Sequence, residues 1–256
     1  MNTGLLRVRG LSKRFGGLAA VRELDFDVHH DEFLGIIGPN GAGKTTVFNL
    51  ISGETKPSAG EIVFRGKYIN GLKPHQVMRL GVSRTFQQNL VFKGFSVIDC
   101  ITAGFYSRAN ATFLSILVDN KRAQLEEDQL RYRAIELMKI FGIDHLEDAL
   151  VGSVSAGYQR IIGICMALAG DPELLLLDEP LTGMNPPERI LLMNALRKIR
   201  EQGLSMLIIE HNVKEIMQVC DKMIVLNFGN KIAEGSPEEV RHNQQVIDAY
   251  LGKEGK

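Results

Sequence analysis

The sequence predicts a single α/β domain of 256 residues built around a parallel sheet. Short runs of consecutive apolar residues, typical of strands buried on both faces, alternate with amphipathic helical segments. One of these runs passes into a glycine-rich turn and then into a helical segment. A charged stretch rich in helix formers interrupts the series, which predicts a mostly helical insertion in the α/β core.

The first part of the chain predicts strands and one helix. "LLRVRG" and "LDFDV" alternate apolar and polar residues, as half-buried strands do. "EFLGII" is a continuous apolar run that ends in a glycine-rich turn, which predicts a buried strand, and "TTVFNLIS" continues it as a helix. "GEIVFRGKYI" predicts a return to strand.

The middle of the chain predicts the insertion, with the helix "KRAQLEEDQLRYRAIELMKIFG" as its clearest element. The buried strands "ELLLLD" and "SMLIIEH" follow, separated by the amphipathic helix "ERILLMNALRKIREQG". "VKEIMQVC" predicts a helix, and "KMIVLNFGNKIAEG" predicts a hairpin that turns at Phe228 and Gly229. We therefore expect an α/β core from 1–86 and 160–235, a helical subdomain over 87–159 and a helical tail over 236–256.

Composition narrows the class of protein. The chain has 30 basic and 30 acidic side chains, and this balance argues against a nucleic-acid binder. Its three cysteines are widely spaced and form no CxxC pair, which favours a reducing compartment. The first residues lack the apolar segment of a signal peptide, and no apolar run reaches the roughly 20 residues that cross a bilayer. We expect a cytoplasmic protein that can dock onto a membrane protein.

The strongest chemical signal is "GPNGAGKTT", which fits the phosphate-binding pattern G-x-x-x-x-G-K-[ST] between a strand and a helix. The glycines let backbone N–H groups wrap the phosphates. Lys44 would reach the β- and γ-phosphates, and the Thr45 hydroxyl would bind Mg²⁺. The candidate nucleotide-binding residues of this loop are Gly38, Pro39, Asn40, Gly41, Ala42, Gly43, Lys44, Thr45 and Thr46.

A phosphate site needs a second oxygen ligand for magnesium, and "LLLLDEP" supplies carboxylates at the end of a buried strand. Asp178 could hold Mg²⁺ through water, and Glu179 could polarise the attacking water as the catalytic base. A solvated acidic pair is the alternative. It would be favoured for Asp-Glu alone, but not on a chain that also carries a phosphate-binding loop.

Three further residues have two interpretations each. His211, at the end of "IIEH", could contact the γ-phosphate or be a core or capping histidine. Phe15, beside two glycines, could stack on a nucleobase, although composition alone favours a plain core phenylalanine. Gln87, in "TFQQNL", could reach the metal or the water, or be a polar linker residue. The residues alone leave these alternatives open.

Taken in order, these motifs resemble the ATP-binding subunits of ABC transporters over nearly the whole chain. Phe15 matches the A-loop, Gln87 the Q-loop and His211 the H-loop, while "VSAGYQR" matches the signature and "GMNP" the D-loop. The resemblance implies a P-loop NTPase (RecA-like) core with an N-terminal antiparallel β subdomain and an inserted α-helical subdomain. It also implies functional roles for Phe15, Gln87 and His211. The catalytic residues that it implies are Lys44, Glu179, His211 and Gln87. The residues that it places at the metal are Thr45, Gln87 and Asp178.

The signature "VSAGYQR" precedes the apolar helical run "IIGICMALAG". In this family its serine and glycine cap a helix that faces the γ-phosphate of ATP held by the opposing subunit, where helix N–H groups favour an anion. Ser155 and Gly157 would therefore complete a site begun on another chain. A simple N-cap at Ser155 is the alternative. The family pattern L-S-G-G-Q is altered here at Ala156 and Tyr158.

Within the family, "LSKRFGGLAAV", "RTFQ" and "EPLTGMNPPE" resemble the larger ATPase of branched-chain (hydrophobic) amino acid uptake systems. This implies ATP and Mg²⁺ as cofactors and a peripheral location on the cytoplasmic side of the plasma membrane. The implied partners are a second ATPase subunit, two membrane permease subunits and, indirectly, a periplasmic or extracellular amino-acid-binding protein. The alternatives are an ABC ATPase for urea, lipid or lipopolysaccharide, and a soluble ABC ATPase outside transport.

Overall fold

A computed structural model describes residues 4–85, 92–106, 120–211 and 213–251, with the side chains of 120–123 and 251 excluded. The strands are β1 (Leu6–Phe15), β2 (Leu18–Val28), β3 (Phe33–Ile37), β4 (Ala59–Phe64), β5 (Lys67–Tyr68), β6 (Val82–Arg84), β7 (Leu174–Asp178), β8 (Ser205–Ile209), β9 (Lys222–Asn227) and β10 (Asn230–Gly235). The helices are α1 (Lys44–Ile51), α2 (Pro74–Leu80), α3 (Val97–Phe105), α4 (Asn120–Ile140), α5 (Ala156–Ala169), α6 (Pro186–Glu201), α7 (Val213–Ile216), α8 (Pro237–Arg241) and α9 (Gln244–Leu251).

A six-stranded sheet carries the parallel core, in the order β10-β9-β3-β8-β7-β6. Every residue of β3, β7 and β8 is buried, as their continuous apolar runs predict. These three strands are parallel neighbours, and Ile209 of β8 pairs with both Ile36 and Asp178. The glycine-rich loop, Glu179 and His211 follow β3, β7 and β8 respectively, so the pairing brings all three to one edge of the sheet.

A separate four-stranded antiparallel sheet has the order β2-β1-β4-β5. Leu6 of β1 pairs with Val28 on one side and Phe64 on the other. The segment predicted as one strand, "GEIVFRGKYI", is a hairpin of two strands. Arg65 and Gly66 between them have φ of 50° and 74°, values that reverse the chain.

The described chain divides into two compact units. One holds both sheets and consists of residues up to 84, 173–180 and from 200 onwards; the other consists of 85–172 and 181–199. The expected division put its boundary at 159/160, within α5, and so differs from these units. All of α5 belongs to the second unit because it packs on α3, where a Cβ on Gly104 would lie 2.7 Å from the Met166 carbonyl oxygen.

The C-terminal part contains the expected hairpin and helices. β9 and β10 turn at Phe228 and Gly229. Ser236 caps α8 through a capping box with Glu239, and α9 follows it. The helix predicted over "VKEIMQVC" is limited to the single turn of α7. Among the described residues, no helix combines the length and apolar character needed to cross a membrane.

Candidate functional site

The glycine-rich loop has a backbone that only glycine allows at two positions. Gly43 has φ of 104°, and a Cβ there would lie 2.3 Å from the carbonyl oxygen of Ala20. Gly38 has φ of 151°, and its Cβ would lie 2.1 Å from the carbonyl oxygen of Leu226. Gly43 supplies no side-chain cap to α1, so the first N–H groups of this helix are available to an anion.

Lys44 is held inside the loop by its backbone. The Nζ atom donates hydrogen bonds to the carbonyl oxygens of Gly38 at 2.7 Å and Pro39 at 3.0 Å. The residue is buried, which lowers the pKa of its ammonium group, while the charges of Glu179 and Asp178 oppose this effect. The loop therefore holds a desolvated cation that an anionic ligand would compensate better than two carbonyl groups do.

One cavity of about 570 Å³ in the first unit joins most of the predicted site. Phe15 lies at its wall and is 51% exposed, which excludes the alternative of a core phenylalanine. Lys13 lies over its ring, with Nζ 5.0 Å from the centroid. Phe228 of the β9–β10 turn also lines the cavity, and sequence reasoning did not mark it. The predicted residues that line the cavity are Phe15, Asn40, Gly41, Ala42, Gly43, Lys44, Thr45, Thr46, Glu179 and His211.

Glu179 and His211 form a pair at the cavity. The Nε2 atom of His211 lies 2.7 Å from Oε1 of Glu179, and the side chain of His211 is 44% exposed. This exposure excludes a core histidine. Glu179 has φ of 49°, which is uncommon for a residue with a side chain, and its N–H donates to the carbonyl oxygen of Ile209 at 2.9 Å. Strained backbone of this kind is frequent at functional sites.

Asp178 is the last residue of β7 and forms an ion pair outside the lining of the cavity. Its Oδ2 atom accepts a hydrogen bond from Arg84 at 2.7 Å, and both side chains are almost fully buried. Arg84 also donates to Oδ1 of Asn49 at 2.7 Å and to Oγ of Ser52 at 3.0 Å. Sequence reasoning missed Arg84, although "RTFQ" contains it; only the pairing of β6 with β7 shows what it contacts.

The described residues contain no cluster of three or more His, Cys, Asp or Glu side chains that could hold a metal ion by itself. Thr45 and Asp178 offer a hydroxyl and a carboxylate oxygen. Hard oxygen donors suit Mg²⁺, which commonly binds one or two protein groups together with substrate phosphates and water. The donor set thus fits magnesium brought with a phosphate ligand. Gln87, the other predicted metal contact, lies outside the described residues.

Ser155 and Gly157 lie at the start of α5 in the second unit. Ser155 is the N-cap of this helix, and its Oγ accepts a hydrogen bond from the backbone N–H of Tyr158 at 3.2 Å. The same hydroxyl group donates its hydrogen to Oε1 of Glu188 of α6, with the oxygen atoms 2.5 Å apart. Sequence reasoning missed Glu188. The signal available for it was "NPPE", because an N-cap residue followed by Glu three positions later is a capping-box pattern.

Comparisons with known proteins identify the family of the chain. The family model described as "ABC transporter" matches residues 21–182, and one described as "Branched-chain amino acid ATP-binding cassette transporter" matches residues 230–256. The chain is 35% identical over 254 residues to the high-affinity branched-chain amino acid transport ATP-binding protein LivG of Escherichia coli K12, covering 99% of this chain and 100% of the relative. BraF of Pseudomonas aeruginosa, which carries the same description, is 36% identical with the same coverage.

A third relative has a different transport description. The lipopolysaccharide export system ATP-binding protein LptB of Escherichia coli K12 is 34% identical over 249 residues, with 97% of this chain and 98% of the relative covered. Among solved structures, a nucleotide-free ATP-binding cassette from an ABC transporter aligns with a TM-score of 0.83 and 28% identity, over 97% of this chain and 99% of that one. The chain therefore belongs to the ABC transporter family and is an ATP-binding, ATP-hydrolysing subunit.

Proposed function

We propose that this chain is the ATPase subunit of an ABC importer that takes up branched-chain or other hydrophobic amino acids. The assignment of the ATPase site rests on one observation: a single cavity is lined by the phosphate-binding loop, the exposed Phe15 ring, Glu179 and His211. The amino acid class is supported by the full-length likeness to LivG and BraF and by the family match at residues 230–256.

ATP binding is assigned to the residues of the first unit. The Phe15 ring stacks on the base, and the N–H groups of the loop and of the first turn of α1 hold the phosphates. The Lys44 ammonium exchanges its bonds to the Gly38 and Pro39 carbonyls for phosphate oxygens. This exchange gives a buried cation a charged partner, and it is the main source of affinity for the phosphate chain.

Magnesium would be held by the Thr45 hydroxyl and, through water, by Asp178, with Gln87 as a further contact. A bound Mg²⁺ supplies neutralisation of the charge that develops on the transferred phosphoryl group. The ion pair with Arg84 fixes the direction of the Asp178 carboxylate at the end of β7. In this proposal Gln87 also links the site to the permease.

Hydrolysis is assigned to Glu179 and His211. Glu179 polarises the attacking water, and His211 orients the γ-phosphate. Their hydrogen bond of 2.7 Å holds the carboxylate and the imidazole beside the same part of the cavity. Catalysis by this set is positioning and electrostatic stabilisation, which is the general pattern for phosphoryl transfer.

The functional assembly is proposed to contain a second ATPase subunit in head-to-tail arrangement. Ser155 and Gly157 of each subunit would then complete the ATP site of the other at the N-terminus of α5. Two membrane permease subunits and, indirectly, an extracytoplasmic amino-acid-binding protein complete the complex. The chain would be peripheral, on the cytoplasmic side of the membrane. The two compact units would act as ATP-binding core and signature-bearing helical subdomain.

A second candidate is lipopolysaccharide export, because LptB is almost as similar to the chain as LivG is. Uptake of labelled leucine separates the two. Cells that lack the gene should regain uptake with the natural chain and with the surface variant Glu201→Gln, but not with Glu179→Gln. Unchanged leucine uptake in the deletion strain, combined with a loss of surface lipopolysaccharide, would favour the second candidate and contradict the first.

A further inference from the structure

The signature serine is held by a buried carboxylate from another helix. Ser155 Oγ donates to Oε1 of Glu188 at 2.5 Å, a short distance typical of a hydroxyl bound to a charged acceptor. The other carboxylate oxygen accepts from the backbone N–H of Asn185 at 2.9 Å. Only 5% of Glu188 is exposed. The signature is therefore connected, through one side chain, to the loop before α6.

The carboxylate also lies directly against the backbone of the signature. A Cβ added to Gly157 would lie 2.1 Å from Oε2 and 2.4 Å from Cδ of Glu188. Glycine at this position thus gives room to the carboxylate of the same chain. Gly157 is in the first turn of α5, where helix N–H groups favour an anion, so the anion at this turn is Glu188 itself.

The charge of Glu188 is balanced by neutral groups in the described contacts. Its side chain accepts from the Ser155 hydroxyl and the Asn185 amide, and its own N–H donates to Oδ1 of Asn185 at 2.9 Å. Its place in the first turn of α6 adds the favourable field of that helix. A carboxylate held at the signature in this way would repel a phosphate that approached the same turn.

The single donor hydrogen of the Ser155 hydroxyl is used in this arrangement. A serine hydroxyl has one hydrogen to donate and two lone pairs to accept with. Its oxygen accepts from the Tyr158 N–H at 3.2 Å, and its single hydrogen is donated to Glu188. Ser155 cannot donate to a phosphate oxygen while the bond to Glu188 persists.

We propose that Glu188 is a positioning residue that restrains the signature serine and must release it when the partner subunit's ATP reaches α5. The inference rests on the proposed function, since it requires a composite site. Glu188 accepts the hydroxyl hydrogen of Ser155. Its carboxylate also places a charge of the same sign as the phosphate where the γ-phosphate binds. It therefore sets the ATP concentration at which two subunits close, and it transmits the position of the loop before α6 to the signature.

The test is Glu188→Gln in the complex assembled with its partner subunits. The amide keeps the shape, accepts from Asn185 and donates to Ser155, so it frees the hydroxyl hydrogen and removes the charge. We expect the KM for ATP to fall about tenfold, with kcat changed less than about threefold, because the serine hydrogen becomes available to the phosphate and a like charge near it is lost. Glu201→Gln, at an exposed position at the end of α6, controls for loss of one acidic group and should leave the KM unchanged.

A double-mutant cycle tests the route through the hydroxyl. With Ser155→Ala, Glu188→Gln should lower the KM by only about threefold or less, since the charge is still removed but no serine hydrogen is left to release. If Glu188 had a purely structural role, Glu188→Gln would instead raise the KM for ATP and lower the melting temperature. An unchanged or raised KM in an active complex would overturn this inference alone. A natural complex that does not hydrolyse ATP would instead contradict the proposed function.

Discussion

A methyl group at Gly43 tests whether the phosphate-binding loop is fixed by close packing on the antiparallel sheet. In Gly43→Ala the new Cβ would lie 2.3 Å from the carbonyl oxygen of Ala20, a distance that real Cβ atoms do not reach. The loop or β2 must move by about 1 Å, which costs about 1–3 kcal/mol as overpacking. The φ of 104° adds strain of about 1–3 kcal/mol for any residue with a side chain.

Gly41→Ala is the matched control, because Gly41 lies in the same loop with φ of 78° but has no atom within 4 Å of its Cβ position. Both variants carry the backbone strain, and only Gly43→Ala adds the collision. In thermal unfolding of the purified chain we expect Gly43→Ala to melt about 4–8 °C below Gly41→Ala, from about 2 kcal/mol of extra strain. Equal melting temperatures for the two variants would refute the reasoning.

Three further outcomes are expected. Lys44→Ala should weaken ATP binding by about 10- to 100-fold in calorimetry, because charge-assisted hydrogen bonds contribute about 1.5–3 kcal/mol; unchanged affinity would contradict its role. Glu179→Gln in the assembled complex should bind ATP normally but hydrolyse it at least about 100-fold more slowly, and normal turnover would exclude Glu179 as the base. Burial raises the pKa of Glu234, but hydrogen bonds from Lys222 and Lys231 outweigh it and lower the pKa below the usual 4.5. The ionised group therefore stabilises the fold above pH 4.5 and loses this effect as the pH falls through the lowered pKa. Glu234→Gln should consequently destabilise the chain at pH 7 and much less at pH 3, and an equal cost at both values would count against the account.

The parallel core was predictable because buried parallel strands have a clear pattern. β3, β7 and β8 are continuous apolar runs, and each is followed by a motif residue at its carboxyl end. Motif spacing then identified the residues of the cavity, since parallel strands bring their carboxyl ends to one edge. The exposure of Phe15 and His211 was not predictable, because an aromatic or a lone histidine is compatible with core and surface alike.

The missed features depend on contacts between segments far apart in sequence. Nothing near Arg84 indicates that it pairs with Asp178, because their contact follows from β6 lying beside β7. Glu188 looks like an ordinary capping-box residue of α6 until the fold brings Ser155 to its carboxylate. The compact units also depend on such contacts, because the sequence of α5 does not show that its packing partner is α3.

The central claim is that the chain works as the ATPase of a membrane transport complex. The most direct measurement is mass spectrometry of the proteins that co-purify with the tagged chain from detergent-solubilised native membranes. The account predicts two multi-span permease subunits and a second ATPase subunit in the purified complex. Recovery of ribosomal or DNA-repair proteins without any membrane protein would contradict the transport function and leave the ATP site as described.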